Sequence, residues 1–427
     1  MIHILTENKS HPLNAVIFTA FLGTILGVFW KVHSELAVWI CTLILAILLV
    51  RIHAHSLGID SQWPVLACTL ASFLGLLTVT SIFGGFSPDE MKYYELGWEM
   101  GKQWKTGELW ISPYHSVSTS IYSVIIAITY LVVGKVYSCI IVLNACFWGL
   151  ATVYWLRITK SVFGYVPSTV GGLFVLFPAA ILYTGSNLRE PLTLLLVALV
   201  VWRYVIYTES QQKLSLAVIG ILLVPIAILR DEIFLSLIVA LSVSTLIYHL
   251  KYTNRRDFLA SSVGLLLIVT GATVFLPLDD IRILGIEVLE QQRRFQVQRP
   301  GGYLTELSYT SWRSIIFSLP IRAFYLLYHP FPWDMSKFGE WPIRQIDSLY
   351  FLTISAPLLF SLKSGRNKNW NVILFLALFC SFSLAGYSLM ISSPSNMRRR
   401  LMFAPILLVF SGIGLSNVLK SIRIKGF

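Results

Sequence analysis

Charged residues are scarce in this chain, and most gather in short knots between apolar runs. Asp89-Glu90 follows one such run, Arg189-Glu190 and Arg230-Asp231-Glu232 interrupt others, and Asn396-Met-Arg-Arg-Arg400 precedes the last. A carboxylate beside a hydroxyl can take its proton as a new bond forms. Arginine offers a fork of N–H donors that matches the oxygens of a phosphate. Placed at the ends of apolar segments, these groups suit acid–base and anion chemistry on a molecule whose tail lies in lipid. Each knot also has a plain structural reading. Glu90 can cap a helix whose dipole Asp89 complements. Glu190, before Pro191, can open a helix at a hairpin turn. A local ion pair at a short turn explains Arg230-Asp231-Glu232, and a triple arginine at a span boundary commonly anchors the cytoplasmic side.

The elements that must position these groups follow from composition. Of the 427 residues, 56% are hydrophobic and only 13% charged, with a mean hydropathy of +0.72; soluble domains carry about 25% charged residues. Repeated apolar runs near the ~20 residues needed to cross a bilayer predict an all-α polytopic membrane protein of about 12–14 transmembrane helices. The candidate spans are 12–31, 35–53, 63–83, 117–134, 137–156, 166–184, 191–207, 214–229, 233–250, 258–276, 312–328, 346–362, 371–391 and 401–420. They divide the chain into N-terminal spans (1–83), an external loop (84–116), a core module (117–276), a polar region with one span (277–345) and C-terminal spans (346–427). The polar opening residues, with Glu7, Lys9 and His11, make the first apolar run a retained span rather than a cleaved leader.

Orientation is contradictory on simple alternation. An inside N-terminus places Arg51, His53 and His55 on the cytoplasmic side, as the positive-inside rule prefers, but puts Lys251, Arg255 and Arg256 outside. Either one intervening run does not cross, or it is a broken helix buried in protein. The net charge of +12 belongs to loops that anchor spans and face anionic lipid, not to a nucleic-acid surface. Cys41, Cys68, Cys139, Cys146 and Cys380 lie inside apolar runs without CxxC spacing and read as small hydrophobes.

Three connecting segments are distinctive. Ser87-Pro88-Asp89-Glu90 combines a capping box with proline at the first helical position, so a helix starts there. Its Tyr94, Trp98 and Gly101 share a stripe, with Trp104 close by, while Lys92, Glu95, Glu99 and Lys102 lie elsewhere; such a helix suits the membrane interface. In 277–311, Ile283, Ile286, Leu289 and Phe295 fit an amphipathic helix ended by Pro300-Gly-Gly302. Asp279-Asp280 offers oxygens to a divalent cation, but no third ligand stands at useful spacing. A divalent cation is thus left open, and no other cofactor is indicated. His329-Pro-Phe-Pro-Trp-Asp334 reads as a rigid interfacial turn.

One order of features resembles a known family. An apolar span, Asp89-Glu90, Tyr93 three residues after the Glu and a Gly-containing interfacial helix are followed by Pro113-Tyr114 before a span. Then come Gly134-Lys135, Asn144, Tyr154-Trp-Leu-Arg157, Phe163-Gly164, Phe177-Pro178, Tyr183, Ser186 and Leu188-Arg189-Glu190-Pro191. Over about 84–230 this resembles the GT-C glycosyltransferases, in the branch of protein O-mannosyltransferases and lipid A aminoarabinose transferases. The spans before residue 63 are extra to the simplest family pattern.

The resemblance implies a GT-C-like bundle with interfacial helices in the first large external loop. The activity implied is inverting transfer of a sugar from a polyprenyl-phosphate carrier to a lipid-linked or cell-surface glycan acceptor. It would act at the extracytoplasmic side of a multi-pass protein, most simply in the bacterial cytoplasmic membrane. Asp89 would then be the general base, with Glu90 beside it in the catalytic pair. Arg189 would bind the donor phosphate, and Tyr93, Tyr114 and Glu190 would contact substrate, with no resident metal assigned; outside the stretch that carries the resemblance, the forked donors of Arg398 and Arg399 read as a further clamp on the donor phosphate, with Asn396 beside them in contact with substrate. The expected partners are the lipid-linked donor, the acceptor and the bilayer, not nucleic acid. Two alternatives remain: a polymerase or ligase of lipid-linked glycans, relying more on arginines in 277–311 and 396–400, and a lipid-linked oligosaccharide transporter.

Overall fold

A computed structural model describes residues 34–77, 88–108, 117–186, 188–252, 285–298, 304, 306–331, 333, 342–361, 369–390 and 396–424. The expected spans 12–31 and 258–276 lie outside the described residues, as do Asp279, Asp280 and Tyr114. Among the described residues all regular structure is helical, in the order α1 (Ser34–Ser56), α2 (Gln62–Leu77), α3 (Pro88–Lys105), α4 (Val117–Val133) and α5 (Tyr137–Phe163). There follow α6 (Ser168–Val175), α7 (Pro178–Gly185), α8 (Glu190–Ser210), α9 (Lys213–Leu229) and α10 (Asp231–Tyr252). The last five are α11 (Ile286–Val297), α12 (Trp312–Tyr328), α13 (Pro342–Ser361), α14 (Trp370–Met390) and α15 (Asn396–Ile424). Six of these helices are long and apolar enough to cross a bilayer, or seven if α6 and α7, bent by 43° at Pro178, make one broken span. The protein is a helical, multi-pass membrane protein.

Two helices form the centre. Within their apolar windows α5 and α15 are each 78% buried in protein, whereas α1 is only 33% buried and turns its exposed leucines to lipid. Lipid tails are as apolar as leucine, so close packing rather than water exclusion joins such helices, and small residues mark the contacts. At Gly414 of α15 a Cβ would run into the Pro357 carbonyl oxygen of α13, so the missing side chain lets these two helices pair closely along their length. Gly75 of α2 and Gly185 of α7 meet backbone to backbone in the same way.

Contacts along α1, α2 and α5 resolve the alternation. Thr42 meets Cys139, the His53 and Tyr154 rings lie 5.1 Å apart, and Lys160 donates to the Gly58 carbonyl at 3.0 Å, so α1 and α5 run parallel. Helix α2 is antiparallel to both, with Cys68 and Pro64 against Gly149, and Gly75 against Ile141. The chain therefore leaves α2 and enters α5 on one side of the bundle. Helix α3 is too polar to cross, so the predicted span at 117–134 is corrected: α4 is a helix of that extent that packs on α3 and stays on the side where it began. Without that crossing, the end of α10, which holds Lys251, falls on the same side as Arg51, His53 and His55. We call the two sides the Glu190 end and the Lys160 end.

The stripe predicted for α3 is also corrected. Its buried line is Glu90, Tyr93, Leu96, Met100 and Gly101, while Tyr94 and Trp98 flank it half-buried. The reason is that α3 packs on protein, not on headgroups alone: Gly97 lets α4 approach until a Cβ would lie 2.6 Å from Ile126. Tyr94 and Trp98 instead receive the Lys135 ammonium, 4.8 and 5.3 Å from their ring centres.

Candidate functional site

Glu190 organises the Glu190 end of the bundle. It opens α8, just before Pro191, and its side chain is fully buried. One carboxylate oxygen, Oε1, accepts from both Arg230 Nη2 and Arg398 Nε, and Oε2 has no hydrogen-bond partner among the described residues. The three groups come from distant parts of the sequence: the start of α8, the junction of α9 and α10, and the first turn of α15. A carboxylate so far from water is tolerable only when paired, and removing one member of a buried pair costs about 3–5 kcal/mol.

Arg189 adds an imbalance. It lies within electrostatic range of Glu190, Arg230 and Arg398, yet its Nε and Nη1 are buried without a hydrogen-bond partner among the described residues. Three guanidinium groups thus face one carboxylate. Farther out, Glu232 interacts with Arg230 and Arg399, whose guanidinium stands 5.9 Å from the Tyr387 ring centre. Charged donors with unmet capacity in a buried setting favour an anion.

A polar ladder ties this cluster to α3. Tyr122 of α4 donates to Asn144 Oδ1 at 3.1 Å, and Asn144 Nδ2 donates to the carbonyls of Ser186 at 2.8 Å and Leu188 at 3.3 Å. Asn144 therefore fixes the turn that delivers Arg189 and Glu190. Tyr93 of α3 stacks edge-on to Tyr122, ring centres 5.0 Å apart, and interacts electrostatically with Arg189.

The structure treats the predicted residues unequally. It gathers Tyr93, Arg189, Glu190, Arg398 and Arg399 at one end of the bundle. Glu90 is buried on the same helix as Tyr93. Asp89 and Asn396 hold first-turn positions on α3 and α15, but their side chains lie outside the described residues. Arg230 does more than the expected local pairing with Glu232: its guanidinium also reaches across to Glu190, 40 residues away. The three consecutive arginines point in three directions, as a helix dictates. Arg398 reaches Glu190, Arg399 faces Glu232 and Tyr387, and Arg400 is buried against Asp347 of α13, Nη2 to Oδ2 at 2.7 Å. Arg400 Nη1 also donates to the Leu327 carbonyl at 2.6 Å and to the Ser348 hydroxyl at 3.2 Å. Sequence reasoning gave no role to Tyr122 or Asp347, and it placed Asn144 only among the features of the resemblance; Asn144, a lone amide in an apolar stretch, carried the usable signal.

The polar segment after α10 is a separate feature. Glu290 of α11 accepts from Arg293 Nε and Nη2, both at 2.7 Å, from Arg294 Nε at 2.9 Å and from the Tyr309 backbone N–H at 2.9 Å. Arg293, ahead of the opposing effect of partial burial, holds the Glu290 carboxyl down at about 2. Leu289 is buried as expected, but Phe295 is exposed, on the opposite face. Among the described residues no three His, Cys, Asp or Glu side chains cluster as metal ligands. No protein-family model matches the chain, and no curated protein matches it.

Proposed function

We propose that the protein is a membrane glycosyltransferase of GT-C type, moving a sugar from a polyprenyl-phosphate carrier to a glycan or lipid acceptor. The observation that carries the reading is the cation-rich cluster of half-buried Arg189, Arg230 and Arg398 around the buried Glu190, near helix α3. A phosphate leaving group gains negative charge as the glycosidic bond breaks, and preoriented guanidinium donors stabilise that charge best where water is excluded. The acceptor hydroxyl needs a base as it attacks the anomeric carbon. In this reading Asp89, at the start of α3, is the base, Glu90 and Tyr93 serve the acceptor side, and Asn396, in the same turn of α15 as Arg398, contacts substrate.

Charge supports an orientation. The Lys160 end carries Arg51, Arg157, Lys160, Lys213 and Lys420 against Asp60 and Glu209, so it is assigned to the cytoplasm. The Glu190 end then faces outward, where a lipid-linked sugar rather than a soluble nucleotide sugar serves as donor.

Arg398 and Arg399 favour a second reading, a polymerase or ligase of lipid-linked glycans, because both belong to the cluster. One experiment separates them. Purified protein is supplied with polyprenyl-phosphate sugars or with lipid-linked oligosaccharide, and products are resolved for wild type and Asp89→Asn. Single-sugar transfer abolished by Asp89→Asn supports the first reading, and chain joining insensitive to it supports the second. Movement of lipid-linked glycan with no covalent product would refute both in favour of a transporter.

A further inference from the structure

We propose that the Lys160 end carries a second binding site, one for the zwitterionic phosphoethanolamine headgroup of a membrane lipid. The site is a cavity of about 320 Å³ bounded by the α1–α2 turn, the first turn of α2, the last turns of α5 and the start of α6. That volume stands at the small end of ligand sites, which run about 300–1,000 Å³. The cavity lies at the opposite end of the bundle from Glu190, so it has no part in the proposed sugar transfer and the inference is independent of that reading.

Two opposite charges line this cavity without neutralising each other. Lys160 Nζ donates to the Gly58 carbonyl at 3.0 Å, and Asp60 Oδ1 accepts from the Gln62 backbone N–H at 3.1 Å. Neither side chain forms an ion pair among the described residues. An ammonium has further N–H donors and a carboxylate a second oxygen, so each keeps capacity after its bond to neutral backbone. The walls are held in place. Gly58 takes the left-handed φ of 65° that the turn requires, and its carbonyl anchors the ammonium. A Cβ on Gly171 of α6 would run into the Trp63 ring, so that half-buried indole rests directly on the α6 backbone.

Position makes the ligand a lipid, and charge selects its headgroup. The spans α1 and α5 end beside the cavity, at Ser56 and Phe163, which sets it at headgroup depth, where a tryptophan such as Trp63 is favoured. A phosphate seated on Lys160 and a primary amine seated on Asp60 satisfy both charges at once. Phosphatidylglycerol brings the anion without the amine and meets repulsion from Asp60. Phosphatidylcholine brings a cation whose nitrogen has no N–H to donate. Arg157 and Lys420, which also belong to this end, stand over the Trp202 and Tyr165 rings and do not line the cavity, so its lining holds one cation and one carboxylate.

Native mass spectrometry of the purified full-length protein tests this, with phosphatidylethanolamine, phosphatidylglycerol and phosphatidylcholine of identical acyl chains. Wild type should bind the first phosphatidylethanolamine about three- to fivefold tighter than either rival, the upper range of what an exposed ion pair supplies. Asp60→Asn keeps an oxygen for the Gln62 N–H, and it should bring phosphatidylethanolamine level with phosphatidylglycerol. Lys160→Gln should weaken phosphatidylethanolamine by a similar factor. Both side chains are exposed, so the variants should melt as wild type does. Equal binding of the three lipids by wild type overturns the inference. A preference for phosphatidylglycerol overturns it too, since the lysine would then act as a plain anion site. A preference for phosphatidylethanolamine that survives Asp60→Asn would place the lipid elsewhere and refute the assignment. Displacement of the bound lipid by an equal concentration of soluble phosphoethanolamine would refute the lipid as its source.

Discussion

Replacing Glu190 with glutamine keeps the side chain's shape and removes the charge that holds Arg230 and Arg398 together. Both guanidinium bonds fall on one oxygen, and the side chains of Glu190, Arg230 and Arg398 are 0%, 11% and 21% exposed. Breaking such a buried pair costs about 3–5 kcal/mol. Partial access of water to Arg398 argues for the lower end, about 3 kcal/mol. At about 2–4 °C per kcal/mol for a large chain, the melting temperature of purified Glu190→Gln should fall by roughly 6–12 °C. The sign of the ligand response is more telling. An anion that occupies the cluster should recover most of the loss, so undecaprenyl phosphate should raise the variant's melting temperature more than that of wild type, and undecaprenol should not. A variant as stable as wild type would refute Glu190 as the counter-charge. One that is destabilised yet indifferent to the phosphate would refute the cluster as an anion site.

Three further outcomes follow from the same geometry. Asn144→Ala leaves the Ser186 and Leu188 carbonyls and the Tyr122 hydroxyl without their partner. At about 1–3 kcal/mol for a buried unmet group, thermal stability should drop measurably, and sugar transfer should fall about tenfold or more because the turn carrying Arg189 loosens. Single cysteines replacing Lys102 and Lys213, in a background without native cysteines, should label from opposite faces of sealed vesicles, since α3 belongs to the Glu190 end and the start of α9 to the Lys160 end. Labelling from the same face would undo the parity drawn from α1, α2 and α5. The Glu290 carboxyl, held at about 2 chiefly by Arg293, has a lower value folded than unfolded. Its contribution is therefore full above the ordinary carboxylate range near 4.3 and is lost as pH falls toward 2. Pepsin should spare α11 at pH 4.5 and cut it at pH 2.5, whereas Glu290→Gln should be cut at both.

Most of the helical architecture was legible because apolar length and sparse charge leave few alternatives in a chain of this composition. The candidate spans at 137–156, 191–207 and 233–250 correspond to helices α5, α8 and α10. The error at α4 has a clear origin. Residues 117–133 are as apolar as any span, and hydropathy cannot tell a helix that crosses from one that packs on a neighbour at one side. Only the parallel run of α1 and α5 exposes the difference. At the site, Arg189-Glu190 and the arginines that open α15 stood out because charge in an apolar stretch is costly and needs a reason. Their pairing was not legible. Arg230 sits beside Asp231 and Glu232 in sequence, and that proximity accounts for its interaction with Glu232 but gives no sign that it also reaches Glu190. Consecutive arginines looked alike as letters, and only the helical rotation sends Arg398 to the cluster and Arg400 to Asp347.

The central claim is that Arg189, Arg230 and Arg398 receive the phosphate of a lipid-linked sugar. The most direct measurement is the turnover of purified Arg189→Gln with polyprenyl-phosphate sugars and membrane lipid as acceptor source, read beside its melting temperature. Because Arg189 Nε and Nη1 have no hydrogen-bond partner among the described residues, the variant should melt within about 2 °C of wild type, in the range of a substitution that breaks no partner. Loss of one preoriented donor to developing charge should lower turnover by about 10²–10³. A stable variant that transfers sugar as fast as wild type would contradict the claim.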